Sequence, residues 1–85
     1  MRNAILRTSD GYEADVLIER GGRADTLLEI KPGSGRDVTA AQRLGRIREQ
    51  LGARRACILG AEPGREPLTP GVERLGPDAT LSEVF

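Results

Sequence analysis

Between Tyr12 and Glu19 apolar and polar residues alternate. Tyr12, Ala14, Val16 and Ile18 fall on one side of an extended chain, and Glu13, Asp15, Leu17 and Glu19 on the other. Gly21-Gly22 interrupts this run, and Thr26 to Lys31 forms a second one that ends at Pro32-Gly33. The two runs predict a β-hairpin. If Val16 faces Leu28 and Ile18 faces Thr26, Ala14 faces Ile30 and one face of the hairpin is nearly all apolar. The other face then pairs Asp15 with Glu29, Glu13 with Lys31 and Leu17 with Leu27. A two-residue Gly21-Gly22 turn would instead set Ala14 against Glu29 and Ile18 against Asp25, so the apolar pattern calls for a loop of three or five residues.

Upstream, Asn3 to Arg7 reads as a short first strand, followed by the turn Thr8-Ser9-Asp10-Gly11. Downstream, Ala40, Leu44, Ile47 and Leu51 recur at helical spacing. Thr39-Ala40-Ala41-Gln42 has the form of a capping box, and Gly52 suits the position just past a helix end. This helix is expected to cover the apolar side of the hairpin. Ala56 to Gly60 is a continuous apolar stretch and reads as a buried strand. Ala61 to Gly71 reads as a Gly/Pro-rich loop, Val72 to Leu75 as a last strand, and Thr80-Leu81-Ser82-Glu83 as the capped start of a terminal helix. The expected fold is a single small α/β domain over residues 1–85: a mixed sheet led by an antiparallel meander, with one main helix on one face.

Length and composition restrict what such a domain does. Eighty-five residues make one modest core. Tyr12 and Phe85 are the only aromatic residues, so platforms for stacking bases are lacking, and zero formal net charge argues against a protein that coats nucleic acid. With no histidine and one cysteine, Cys57, the common zinc ligands are missing and a metal would be held by carboxylates, which suits Mg²⁺ or Mn²⁺. Cys57 in its apolar run reads as a small buried hydrophobe. No stretch approaches a membrane span, and the expected location is the cytoplasm.

Lys31 is the only lysine, against twelve arginines. An ammonium is a compact point charge where a guanidinium is a planar fork. Within Glu29-Ile30-Lys31 it shares a strand face with Glu29, and the preferred register adds Asp15 and Glu13. Facing carboxylates repel, and a divalent cation relieves that repulsion while lowering the pKa of a bound water. Asp15 and Glu29 are therefore the candidate metal ligands and catalytic carboxylates, with Glu13 an outer ligand and Lys31 the charge stabiliser. The same spacing also suits plain cross-strand salt bridges, with Lys31 between Glu13 and Glu29. Arg36, Arg43 and Arg46, together with Arg54 and Arg55, could form a phosphate-contacting rim beside that face, or simply a solvated charged surface.

Asp15, the gap that follows it, and Glu29-Ile30-Lys31 with a helix and strand after them resemble the motif of the PD-(D/E)XK nuclease superfamily. The segments Arg7-Thr8-Ser9-Asp10-Gly11-Tyr12-Glu13-Ala14-Asp15-Val16-Leu17-Ile18-Glu19 and Leu28-Glu29-Ile30-Lys31 look more closely like the nuclease-like carboxy-terminal domain, of unknown function, of a prokaryotic AAA-type ATPase family. Arg65-Glu66-Pro67-Leu68-Thr69-Pro70-Gly71-Val72-Glu73 is similar to its ending. The resemblance implies a restriction-endonuclease-like core lacking its first helix. It further implies Asp15, Glu29 and Lys31 at the nuclease positions, with Glu13 matching a recurrent acid of the ATPase-associated group. Two functions follow as expectations: metal-dependent phosphodiester hydrolysis of nucleic acid, or a non-catalytic binding or assembly module detached from a P-loop ATPase partner. The missing helix would leave apolar sheet surface bare, so self-association into a homo-oligomer is expected. Gly33-Ser34-Gly35-Arg36-Asp37 lacks the Gly-Lys-Ser/Thr of a P-loop and reads as an ordinary strand-to-helix connection.

Overall fold

A computed structural model describes residues 3–6 and 15–84. The chain runs β1 (Asn3–Leu6), β2 (Val16–Arg20), β3 (Arg23–Ile30), α1 (Val38–Leu51), β4 (Arg55–Leu59), β5 (Arg65–Thr69), β6 (Val72–Leu75) and α2 (Pro77–Glu83). The strands form one mixed sheet in the order β1-β2-β3-β4-β6-β5. β1 to β3 make the expected antiparallel meander, β3, β4 and β6 run parallel, and β5 returns antiparallel on β6. The small α/β architecture with a meander at its head is thus present. The turn expected at residues 8–11 and the strand positions 12–14 lie outside the described residues.

The hairpin satisfies both of the competing registers, through a bulge. Val16 pairs with Leu28, Leu17 with Leu27 and Ile18 with Thr26, whereas Glu19 pairs with Ala24 and Arg20 with Arg23. Asp25 is the extra residue on β3. The connection is the two-residue Gly21-Gly22 turn, not a loop of three or five residues. Both glycines are left-handed (φ 61 and 77), the geometry that joins twisted antiparallel strands. One inserted residue moves the apolar positions back into register beyond a tight turn.

Helix α1 packs on the opposite face of the sheet from the one expected. Its Ala40, Ala41, Leu44 and Ile47 join Leu17, Leu27, Ala56, Ile58 and Val72 in one buried cluster. This is the face that also carries Glu29. The face of Ile18, Leu28 and Cys57 is covered instead by the chain's end, where Val84 and Ala79 close over Leu75. Cys57 is fully buried there, as its apolar run suggested. Among the described residues, each face of the sheet thus carries its own packed cluster.

Two capping expectations shift by a few residues. The N-cap of α1 is Asp37, whose carboxylate accepts from Ala40 N, not Thr39. Aspartate at this position satisfies one of the helix's free N–H groups. Gly52 ends α1 in the left-handed conformation as read (φ 68). Helix α2 starts at Pro77 after Gly76, so Thr80 is an interior residue whose hydroxyl bonds back to Gly76 O at 2.8 Å. The segment read as a loop contains β5. Pro67 lies in it, and a sheet-edge strand tolerates the missing donor.

Candidate functional site

β3 delivers Glu29 to the sheet face beneath α1, and the loop after β3 delivers Lys31 beside it. The carboxylate of Glu29 is nearly buried (7% side-chain exposure). Its Oε2 lies 3.2 Å from Lys31 Nζ and 3.1 Å from Arg43 Nη2, which also reaches Oε1 at 3.2 Å. Arg43 comes from the second turn of α1. Lys31 bridges onward to Asp37 Oδ2 at 3.5 Å, so the N-cap of α1 belongs to the same cluster. Burying a carboxylate is costly unless it is paired, and two cations of this chain supply that pairing.

Protonation follows the geometry. Hydrogen bonding to Glu29 raises the Lys31 ammonium above its ordinary pKa, and Asp37 adds to the effect. Asp37 is lowered chiefly because its carboxylate accepts from Ala40 N, and further by Lys31 and Arg43. Lys31 is thus a fixed cation at neutral pH, which excludes it as a proton acceptor.

Asp15 sits where β2 begins. Its N–H donates to Leu28 O at 3.1 Å, and its Oδ2 accepts from Ile30 N at 2.7 Å. The carboxylate therefore continues the strand pairing past its last backbone bond. The register expected from the alternation sets this group opposite Glu29 as a fellow ligand. Glu13 lies outside the described residues.

Of the five arginines expected at a phosphate rim, four are engaged elsewhere, Arg54 with Asp25 and Arg55 with Glu73 among them. Arg36 donates to Glu62 at 2.8 and 2.9 Å and to Glu66 at 2.8 Å. Arg43 is committed to Glu29. Arg46 is exposed on α1.

Arg36 belongs to a clamp that closes the C-terminal ends of the parallel strands. Arg74, 2% exposed, donates to Glu66 Oε1 at 2.9 Å and to the carbonyls of Ser34, Glu62 and Pro63 at 2.9 to 3.3 Å. Backbone bonds from Lys31 N to Leu59 O, Gly60 N to Leu75 O and Ala61 N to Gly33 O lock the same loops. In open α/β sheets this is the end where ligands bind. Here the loops after β3 and β4 pack against one another, leaving a shallow depression of about 230 Å³ lined by residues 31–37. Neither Asp37 nor Arg74 stood out in the sequence as part of this constellation. Asp37 carried a usable signal, an N-cap residue type just ahead of the helical repeat, which Thr39 masked.

A divalent cation on Glu29 would have to displace a guanidinium that touches both oxygens of a nearly buried carboxylate. Among the described residues no group of three or more acids, cysteines or histidines is arranged to hold a metal ion. As arranged, the residues described do not fit Mg²⁺ or Mn²⁺. Also among them, no helix is long and apolar enough to cross a membrane. A scan of protein-family models and searches of curated proteins and solved structures found no match to this chain.

Proposed function

We propose that this domain is a non-catalytic binding module, in which a nuclease-like Asp/Glu-x-Lys motif serves as a structural ion cluster. The observation that carries the proposal is the pairing of Glu29 with Arg43 through both carboxylate oxygens. A carboxylate held this way is charge-balanced by its own fold, and its worth lies in fixing α1 on the sheet. The likeness to the tail domain of AAA-type ATPases supplies the class of partner, a P-loop ATPase to which the domain would dock.

The alternative reading is metal-dependent hydrolysis of nucleic acid, with Asp15, Glu29 and Glu13 holding Mg²⁺ or Mn²⁺ and Lys31 stabilising charge. One feature favours it: Lys31 Nζ stands 3.2 Å from Glu29, the side-chain pair such a site needs. Calorimetric titration of the wild type and of Asp15→Asn with Mn²⁺ and Mg²⁺, beside DNA and RNA cleavage assays, separates the two. A binding module gives no saturable cation binding and no cleavage. Saturable binding abolished by Asp15→Asn, together with cleavage, would overturn the proposal in favour of the hydrolase.

A further inference from the structure

The two helices are held to the sheet by different forces. Helix α1 buries Ala40, Ala41, Leu44 and Ile47 in one apolar cluster. In α2, Pro77, Asp78, Leu81, Ser82 and Glu83 are exposed. Only Ala79, and Val84 just past the helix end, add apolar side chains to the cluster of Ile18, Leu28, Cys57 and Leu75. A helix of seven residues has no stability of its own in water, so α2 is formed only while it is docked.

Its two ends are fastened unequally. At the start, Gly76 N donates to Gly64 O at 2.7 Å, and Asp78 Oδ1 accepts from Gly64 N at 3.2 Å. At the far end, arginines reach over from β2, β4 and β5. Arg20 Nη2 donates to Val84 O at 2.7 Å, Arg55 Nη1 to Glu83 O at 3.5 Å, and Arg65 Nη1 pairs with Glu83 Oε2 at 2.9 Å. Cations suit this end of a helix, whose last carbonyls lack partners within it. The Arg65–Glu83 pair is open to water, with side chains 49% and 37% exposed, and salt screens such a pair. Release strands no charge, because each arginine keeps a carboxylate of its own: Asp25 for Arg20, and Glu73 for both Arg55 and Arg65.

We infer that α2 with Val84 is a strap, hinged at Gly76, whose far end opens while the sheet and α1 stay folded. Opening melts α2 and uncovers the apolar face of Ile18, Leu28, Cys57 and Leu75, so the arginine contacts and ionic strength set access to that face. A segment with few buried apolar side chains and exposed polar fastenings opens at lower free energy than the core. Arg55 couples the fastening to what lies beneath: it touches Glu83 O, Cys57 Sγ at 3.5 Å and Glu73 Oε1 at 3.0 Å. The strap stands whether the domain binds a partner or cleaves a substrate.

The fully buried Cys57 thiol is the only one in the chain and reports the opening. The test is alkylation of the folded full chain by N-ethylmaleimide, an uncharged reagent, followed by mass spectrometry at low salt and at about 1 M NaCl across a series of low urea concentrations. Wild type is compared with Glu83→Gln, which removes the charge facing Arg65, and with Ile47→Val, which trims the α1-covered cluster on the other face of the sheet. The expected result is alkylation that rises far less steeply with urea than global unfolding does. Glu83→Gln should react about threefold faster than wild type at low salt, and high salt should close most of that gap by speeding the wild type. Ile47→Val should lower the global urea midpoint and leave the alkylation rate in native buffer unchanged. The strap is overturned by alkylation with the urea dependence of global unfolding, by Ile47→Val speeding alkylation in proportion to its lost stability, or by a Glu83→Gln rate equal to that of wild type at low salt.

Discussion

Glu29 and Arg43 join the sheet to the helix that covers it: both oxygens of the buried carboxylate accept from one guanidinium nitrogen, at 3.1 and 3.2 Å. The pair explains why a charged residue is tolerated in the middle of an α1-covered face otherwise lined by Leu17, Leu27, Ala56 and Ile58. It also gives Lys31 a role that needs no substrate, as the second cation on the same carboxylate.

Removing one partner should therefore cost more than removing both. Arg43→Ala leaves a buried carboxylate with Lys31 alone, and a loss of about 2–3 kcal/mol is expected in urea unfolding. Glu29→Gln in the same background should recover part of that loss, because a neutral amide tolerates burial better. Additive losses in this double-mutant cycle would show that the two side chains are not coupled.

Gly60 lies at the end of β4 under the loop after β3. A Cβ there would collide with the O and C atoms of Ser34, backbone that Arg74 and the Ala61–Gly33 bond hold in place. Gly60→Ala should lower stability by about 3 kcal/mol, if the variant folds at all. Gly33→Ala, in the same loop but with open space around it, should change stability by less than about 0.5 kcal/mol. Equal thermal midpoints for the two variants would contradict the tight packing of these loops.

The elements most visible in the sequence are those whose signal is local. Alternation located the hairpin, the repeat Leu44, Ile47, Leu51 located α1, and Gly52 marked its end. The register of Val16 to Ile18 against Thr26 to Leu28 was legible because a slip of one residue sets Ile18 against Asp25 and Ala14 against Glu29. Which face α1 covers was not legible. The even-numbered face of the hairpin is the more apolar in isolation, but the end of α2 and Val84 compete for it, and α1 can accept Glu29 because Arg43 arrives on its own turn. That pairing is between residues fourteen positions apart and leaves no periodic trace. β5 escaped for a related reason: Gly64, Pro67 and Pro70 read as loop, and only the neighbouring β6 makes Arg65–Thr69 an edge strand. The candidate site was legible as residue types and in part as a face. Its wiring was not, because Asp15 bonds to backbone and Glu29 pairs with Arg43, which arrives from the helix.

Arg74 tests the clamp at the C-terminal ends of the parallel strands. It is buried, and its four acceptors come from three separate segments, at Ser34, at Glu62 and Pro63, and at Glu66. Arg74→Met keeps the volume of the stem and removes the donors. Because the carbonyls of Ser34 and Glu62 then lose their partner, a loss of about 3 kcal/mol is expected in chemical denaturation. Hydrogen exchange should show the amides of Gly60, Ala61 and Gly76, which join these loops, opening faster than those of β3. Uniform acceleration across the sheet would mean that Arg74 supports the whole core and not this end of it.

The bulge residue Asp25 makes stability depend on acid. Its carboxylate is lowered from 3.8 to about 2, first by the hydrogen bond from Arg54, against the cost of burial, and further by Thr26 and Arg20. A carboxyl group lowered in the folded state contributes stability that is complete above its unfolded pKa and lost as pH falls through the folded one. For Asp25 the contribution is therefore intact above pH 3.8 and disappears between there and about pH 2. A shift of this size corresponds to about 2 kcal/mol. Urea midpoints measured from neutral pH downwards should drop across that window in the wild type. Asp25→Asn should start lower at neutral pH and run flatter through the window, since the amide has no proton to take up. A wild-type curve that falls no more steeply than that of Asp25→Asn would show that Arg54, Thr26 and Arg20 do not hold the bulge through this charge.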